Sequence, residues 1–250
     1  MKLGSNELLR YSKQIVLKKI GIIGQKKISS ARVLVVGVGG LGCPLAIYLA
    51  NTGIGNIGLI DDDRVDLSNL NRQIIFNSTD IGKLKVAQAK KVLNKINKKI
   101  KVSAYKNRLT KMNIEKILKN YDIICDCSDN FTTRYLLNDY SLKKKKILIS
   151  AAINKFDAHI FNFNFKKKIP CYRCFMPEMP SLDNKCDAEG ILPTVAGIAG
   201  TLQANEVIKS IIDKKNELVG KMIVFNTHDL NFRKIKLSKN FNCIKDCNWK

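Results

Sequence analysis

At 250 residues, 28.1 kDa and a formal net charge of +23, the chain is long enough to bury one large core. It has no apolar run near the roughly 18 residues of a membrane span, and its opening MKLGSNELLRYSKQI lacks the basic and apolar regions of a secretory signal, so no membrane is expected and the location expected is cytoplasmic. Only eight of its 44 basic residues are Arg, the residue base-reading proteins lean on, so no nucleic acid is expected and the lysines read as solvated surface that steers acidic partners or a nucleotide inward.

Residues 5–30 read as helical, with Leu8, Leu9, Ile15 and Val16 spaced to bury one face over the domain or a neighbouring subunit. The run Val33 to Val36 reads as a strand buried on both faces of a parallel sheet. It enters glycines at 37, 39 and 42, with a fourth at 40, and an apolar helix follows over 41–51. One glycine permits the tight turn, one lets backbone approach a phosphate, and one lets helix and strand pack closely. The helix N-terminus then offers free N–H groups to an anion. A second buried strand, 57–60, ends in Asp61, Asp62 and Asp63, about 20 residues past the turn, where a ribose hydroxyl needs an acceptor. The competing reading is a glycine-rich turn without a ligand.

Residues 64–84 show little periodicity, and a loop that long in a compact domain is usually functional or disordered. Arg72 and Lys85 bracket it and bring two cations beside the glycine turn. A dinucleotide needs only its pyrophosphate cradled, whereas a triphosphate needs cations and a metal, which favours ATP over NAD; ordinary surface charge is the alternative. Helix 85–97, strand 102–105, a short helix near 112–119 and strand 121–127 follow. Asp129 and Asn130 then open a helix over 130–143. A carboxylate at a strand's C-terminal end lies on the ligand side of an open α/β sheet, so Asp129 is either a Mg²⁺ ligand or the helix N-cap.

After strand 147–150 the pattern HIFNFNF at 159–165 alternates and predicts a half-exposed, antiparallel strand. Pro193 starts a helix rich in small residues that should pack tightly on the sheet, and strands near 221–225 and 232–237 lead to the tail CIKDC. Eight cysteines in a cytosolic chain point to metal or catalysis rather than a disulfide framework. Cys125 and Cys127 lie in an apolar strand and read as buried and inert, and Cys43 as packing. Cys171 and Cys174, joined at long range by Cys243 and Cys247, have the ligand set of a structural Cys₄ zinc site; free thiols or a redox pair are the alternatives. Cys186 is left over as a candidate nucleophile, although Asp187 and Glu189 beside it would raise its pKa.

The expected fold is therefore α/β, a Rossmann-like doubly wound, mostly parallel sheet with antiparallel C-terminal strands and a Cys₄ zinc site. The chain reads as one domain: a helical segment (1–30), a nucleotide-binding half (31–150) and a carrier-binding and zinc half (151–250).

RYSKQI at 10–15, GVGGLG at 37–42, IDDDRVDLSNLNRQ at 60–73, KLK at 83–85, DCSDN at 126–130, CYRC at 171–174 and GTLQANEVIK at 200–209 together resemble the ThiF/MoeB/HesA adenylyltransferases, relatives of the ubiquitin-activating enzymes. The resemblance spans nearly the whole chain. It implies adenylation, with ATP and Mg²⁺, of the C-terminal glycine carboxylate of a ubiquitin-fold sulfur carrier ending in Gly-Gly, by a homodimer served by a sulfur donor protein. By the same resemblance Gly39 contacts nucleotide, Asp61 holds ribose, Arg72 and Lys85 hold phosphates, Asp129 holds Mg²⁺, and Zn²⁺ sits on Cys171, Cys174, Cys243 and Cys247; Gly37, Gly40, Gly42, Asp63, Asn69 and Asn130 complete the nucleotide site. Lys13 stands where the family has an arginine that reaches the partner's ATP, and keeps a point charge without the bidentate fork.

The last cysteine pair is spaced one residue wider than is usual in the family. DDDRV, CYRCFMP and Cys186, the position that links to the carrier in sulfur transfer, resemble the thiamine-pathway member more than the molybdopterin-pathway one, which stays as the alternative. A NAD-dependent oxidoreductase and a non-catalytic nucleotide-binding scaffold are the readings from other classes.

Overall fold

The computed structural model describes residues 3–180, 190–213, 215–240 and 243. Its strands are β1 (Arg32–Val36), β2 (Asn56–Ile60), β3 (Lys101–Tyr105), β4 (Ile123–Asp126), β5 (Ile147–Asn154), β6 (Asp157–Asn164), β7 (Lys221–Asn226) and β8 (Asn231–Lys236). They form one sheet in the order β3-β2-β1-β4-β5-β6-β7-β8. The first five pair in parallel and the last three antiparallel, as expected. Strand order reverses between β1 and β4. In an open α/β sheet such a reversal leaves a crevice beyond the strands' carboxyl ends, and that is where ligands bind.

The helices are α1 (Ser5–Arg10), α2 (Ser12–Ile15), α3 (Gly21–Ser30), α4 (Gly42–Thr52), α5 (Lys85–Ile96), α6 (Ile114–Leu118), α7 (Phe131–Lys143), α8 (Tyr172–Phe175) and α9 (Pro193–Ile212). Side chains of β1 alternate between two cores. Val33 and Val35 face one with α4, α5 and α9; Leu34 and Val36 face the other with α6 and α7. A strand covered on both faces has no polar face to show, which is why Val33 to Val36 runs unbroken.

Two expectations are corrected. The helical segment 5–30 is three short helices, and Leu8, Leu9 and Val16 are exposed on the single chain rather than packed over the domain, with Leu9 at 77 %. It is anchored by Ile28 of α3 in the core and by Tyr11, whose hydroxyl accepts from Asn97 Nδ2 at 2.9 Å and whose ring lies over Gly53, leaving no room for a Cβ there. β6 is mostly buried, not half-exposed. Phe161, Phe163 and Phe165 enter the second core while Asn162, on the other face, donates to Ser210 Oγ (3.0 Å) and Glu206 Oε2 (3.3 Å) of α9. The alternation is real, but the Asn162 amide nitrogen finds its partners on a helix instead of in water. Residues 64–84 contain two 3₁₀ turns and an Arg64–Leu84 bridge, so they are ordered.

Small residues of α9 pack on α4 as well as on the sheet. A Cβ on Gly200 would lie 2.4 Å from Leu41 O and 2.7 Å from Pro44. Among the described residues no helix is long and apolar enough to cross a membrane.

Candidate active site

The carboxyl ends of β1 to β5 and the amino end of the antiparallel β6 enclose a cleft of about 880 Å³. Ten of the sequence-predicted residues line it: Gly37, Gly39, Gly40, Asp61, Asp63, Asn69, Arg72, Lys85, Asp129 and Asn130. Gly42 and Lys13 are not among the lining residues. Gly42 sits behind the turn as the packing glycine, since a Cβ there would lie 2.0 Å from Gly37 O. Lys13 is exposed on α2.

The glycines differ in what surrounds them. Gly37 has φ 90°, a left-handed conformation that disfavours side chains, and its Cβ would press 2.7 Å from Cys127 O. Gly39 faces open space, with Gln73 Nε2 alone within 4 Å of a Cβ, at 3.9 Å, so ligand backbone approach is possible there. A Cβ on Gly40 would lie 3.1 Å from Ala196 Cβ and 3.4 Å from the stem of Arg72.

Asp61 ties the acid at the end of β2 to this turn. Its Oδ2 accepts from Val38 N at 2.7 Å and its Oδ1 from Asp63 N at 2.8 Å. Burial still pushes its carboxyl above the ordinary 3.8, against those bonds and the pull of Lys85. Lys85, the first residue of α5, is buried, and its Nζ meets Asp63 Oδ2 at 2.8 Å. Arg72 donates through Nη1 to Ser68 O (3.2 Å) and Asn71 Oδ1 (3.1 Å), while Asn69 Oδ1 accepts from Gln73 Nε2 at 2.6 Å.

The two readings of Asp129 separate cleanly. Asn130 is the N-cap of α7, its Oδ1 accepting from Thr133 N at 2.9 Å. Asp129 is exposed, with a 3.3 Å hydrogen bond from Asn130 Nδ2. Its hard carboxylate oxygens, not spent on a cap, fit the donor chemistry of Mg²⁺.

Several lining or supporting residues escaped the sequence reading. Fully buried Asp126 ends β4, accepting from Ser128 N (3.1 Å), Ser150 Oγ (2.6 Å) and Arg134 Nε (3.2 Å). Arg134 of α7 also donates through Nη2 to Ser128 O (3.0 Å) and Ala151 O (3.2 Å), so one guanidinium joins the ends of β4 and β5 under the cleft. Buried Gln203 of α9 donates to Asp126 O (2.8 Å) and Ile149 O (2.9 Å). A lone Arg in a helix and a Gln among small apolar residues were the available signals. Asn107, Arg108 and Leu109 after β3, and His159 on β6, also line the cleft. Burial holds His159 below its ordinary 6.5, Asp157 pulling the other way.

The cysteines sort as expected within the described residues. Cys125 is buried, its thiol raised by burial, and the Cys43 thiol is pushed up to about 12 by burial, so neither is a nucleophile at neutral pH. Cys127 lines the cleft but donates to Gln203 Oε1 at 3.3 Å, and burial raises its thiol well up.

Cys171, Cys174 and Cys243 cluster away from the cleft, with Cys171 Sγ 4.0 Å from Cys174 Sγ and 3.6 Å from Cys243 Sγ. Tetrahedral thiolates about 2.3 Å from zinc stand roughly 3.8 Å apart, so the spacing fits three ligands of that ion. Cys247, the expected fourth ligand, and Cys186 lie outside the described residues. The CYRC pair stands at the start of the short helix α8, and the third thiol beside it is what argues against a simple redox pair.

Strand reversal, a glycine turn tied to an acid on β2, and two cations on one cleft define a doubly wound nucleotide-binding α/β protein. The chain belongs to the ThiF family, whose model matches residues 11–245. It is 42 % identical over 246 residues to the adenylyltransferase and sulfurtransferase MOCS3 of Culex quinquefasciatus, covering 97 % of this chain and 56 % of that one. To the MOCS3 of Dictyostelium discoideum it is 39 % identical, covering 93 % and 55 %. The chain thus spans about half the length of the curated relatives it matches. Among solved structures, E. coli MccB with MccA-N7isoASN superimposes with a TM-score of 0.85 at 25 % identity, covering 99 % of this chain and 76 % of that one. E. coli MccB with ATP gives 0.82 at 26 %, covering 94 % and 73 %.

Proposed function

We propose that the chain adenylates the C-terminal glycine carboxylate of a small ubiquitin-fold sulfur carrier, consuming ATP and releasing pyrophosphate. The observation that carries this reading is the meeting of Arg72, Lys85 and Asp129 with the open backbone at Gly39 in one cleft. The curated relatives, adenylyltransferases by name, and the E. coli MccB solved with ATP support it.

The chemical difficulty is charge: a carboxylate must attack an α-phosphate, and both are anions. Gly39 admits the phosphates to backbone N–H groups at the start of α4, and Asp61 holds that turn through Val38 while its carboxylate faces the ribose. Arg72 and Lys85 neutralise the phosphate oxygens from fixed positions. No side-chain base is needed because the nucleophile is already deprotonated. Asp129, with Asn130 beside it, would hold Mg²⁺, which when bound offsets phosphate charge. An acyl-adenylate remains when pyrophosphate departs.

Lys13 acts in this reading across a homodimer, from α2 of one copy toward the cleft of the other; its exposure and its place outside its own cleft support that role. Cys171, Cys174 and Cys243 would hold Zn²⁺ as a structural ion, with Cys247 as fourth ligand, and Cys186 would join the later sulfur transfer, with sulfur from a donor protein. The division of labour between residues 31–150 and a carrier-binding half, 151–250, belongs to the same proposal.

The resemblance of DDDRV and CYRCFMP favours the thiamine-pathway carrier. A second reading, the MoeB-type carrier of the molybdopterin pathway, draws support from 42 % identity to a MOCS3 protein. Both are tested by incubating the protein with ATP, Mg²⁺ and each purified carrier, then weighing the carriers. An AMP adduct on one assigns the substrate; no adduct on either, with no carrier-dependent ATP–pyrophosphate exchange, refutes adenylation.

A further inference from the structure

One face of α7 is committed to the cysteine segment. Asn138 Oδ1 accepts from Tyr172 N at 2.8 Å; Asp139 takes Arg173 through two bonds of 2.8 and 2.9 Å; and Tyr135 OH reaches Met176 O and Glu178 O, both at 2.8 Å. The Arg173 guanidinium lies 4.5 Å from the Tyr135 ring centroid. These contacts come from positions 135, 138 and 139, one stripe of a helix. Arg134, next on that stripe, turns the other way along the chain of contacts. Its guanidinium stands 5.8 Å from the Tyr172 ring centroid, bonds Asp126 and Ser128, and lines the cleft.

The consequence lies in how weakly α8 can hold itself. Four residues cannot nucleate a helix unaided, so its geometry depends on its grip on α7 and on whatever draws Cys171, Cys174 and Cys243 together. Cys171 is the N-cap of α8, and Tyr172 follows it directly. Any ion that fixes the thiols therefore fixes the Tyr172 ring, and with it the guanidinium that joins β4 and β5 immediately before Asp129.

We propose that Tyr172 and Arg134 are positioning residues that couple a metal ion on the cysteine cluster to nucleotide binding in the cleft. The inference rests on the reading of the cleft as an ATP site and of the thiols as a zinc site. Binding linkage is reciprocal: if zinc tightens ATP, ATP tightens zinc by the same factor. The expected factor is about 5- to 150-fold, the usual range for coupled sites.

The test uses the full chain and two separate binding measurements. ATP affinity is measured calorimetrically with zinc present and after its removal by a chelator, and zinc release to a metallochromic dye is timed with and without ATP and Mg²⁺. Tighter ATP binding with zinc, and slower zinc release with ATP, is expected. Tyr172→Leu should keep both sites but bring the coupling close to one, while Tyr172→Phe, which retains the ring, should restore it. Equal ATP affinity with and without zinc in the wild-type protein overturns the coupling while leaving both sites standing, whether or not Tyr172→Leu folds. Failure to bind either ligand at all overturns the functional reading instead, and the coupling with it.

Discussion

Lys85 and Asp63 form an uneven ion pair: their charged atoms are 2.8 Å apart, yet the lysine side chain is 5 % exposed and the aspartate 66 %. The ammonium is committed to the cleft while its counterion stands at the rim. An arriving phosphate can therefore take the lysine without stripping a buried partner. Lys85→Met should cut carrier-dependent pyrophosphate exchange by about 10²- to 10³-fold, the loss typical of one preorganised donor. Asp63→Asn should change stability by less than about 0.5 kcal/mol, because a solvent-screened carboxylate contributes little. Exchange assays and urea melts check the pair; equal exchange rates would remove Lys85 from the chemistry.

Asn130 and Asp129 are neighbours with separable jobs. Asn130→Ala deletes the cap on Thr133 N and should destabilise the fold by about 1 kcal/mol. Asp129→Asn should leave the melting temperature in place while abolishing Mg²⁺-dependent exchange. Thermal melts check the first expectation, since only Asn130→Ala should lower the melting temperature, and magnesium titrations of Asp129→Asn check the second.

The glycines at 42 and 197 make a contrast that tests packing. A methyl at 42 would sit 2.0 Å from Gly37 O, whereas at 197, inside α9, nothing lies within 4 Å. Gly42→Ala should destabilise by at least about 2 kcal/mol through backbone displacement. Gly197→Ala should stabilise by about 0.5–1 kcal/mol, since helix propensity improves and no neighbour must move. Denaturant midpoints decide, and a tolerated Gly42→Ala would contradict the turn geometry.

His159 makes stability depend on pH with a defined sign. Burial, aided by Arg134 and opposed by Asp157, holds its folded-state pKa below 6.5. Below that value the unfolded chain takes up a proton the folded chain refuses. Its contribution is therefore complete above 6.5 and falls away as pH drops. The wild type minus His159→Gln difference in unfolding free energy, measured from about pH 5 to 7.5, should decline toward acid. A flat difference would mean that the imidazole is solvated in the folded protein.

Much of this protein was determined by sequence alone, and for local reasons. Unbroken Val33–Val36 announces a strand covered on both faces, three glycines at fixed spacing announce a turn that side chains would block, and Pro193 marks a helix start because its missing N–H is not needed there. Each is a statement about backbone within a few residues. Tertiary structure alone decided the rest. Residue spacing cannot say that Asn130 rather than Asp129 caps α7, that Asn162 is buried because α9 supplies its partners, or that Leu9 and Val16 stay exposed. Nor can it place Arg134 under both β4 and β5. Those outcomes depend on which distant elements the sheet order brings together, and side chains settle only after that order has chosen their neighbours.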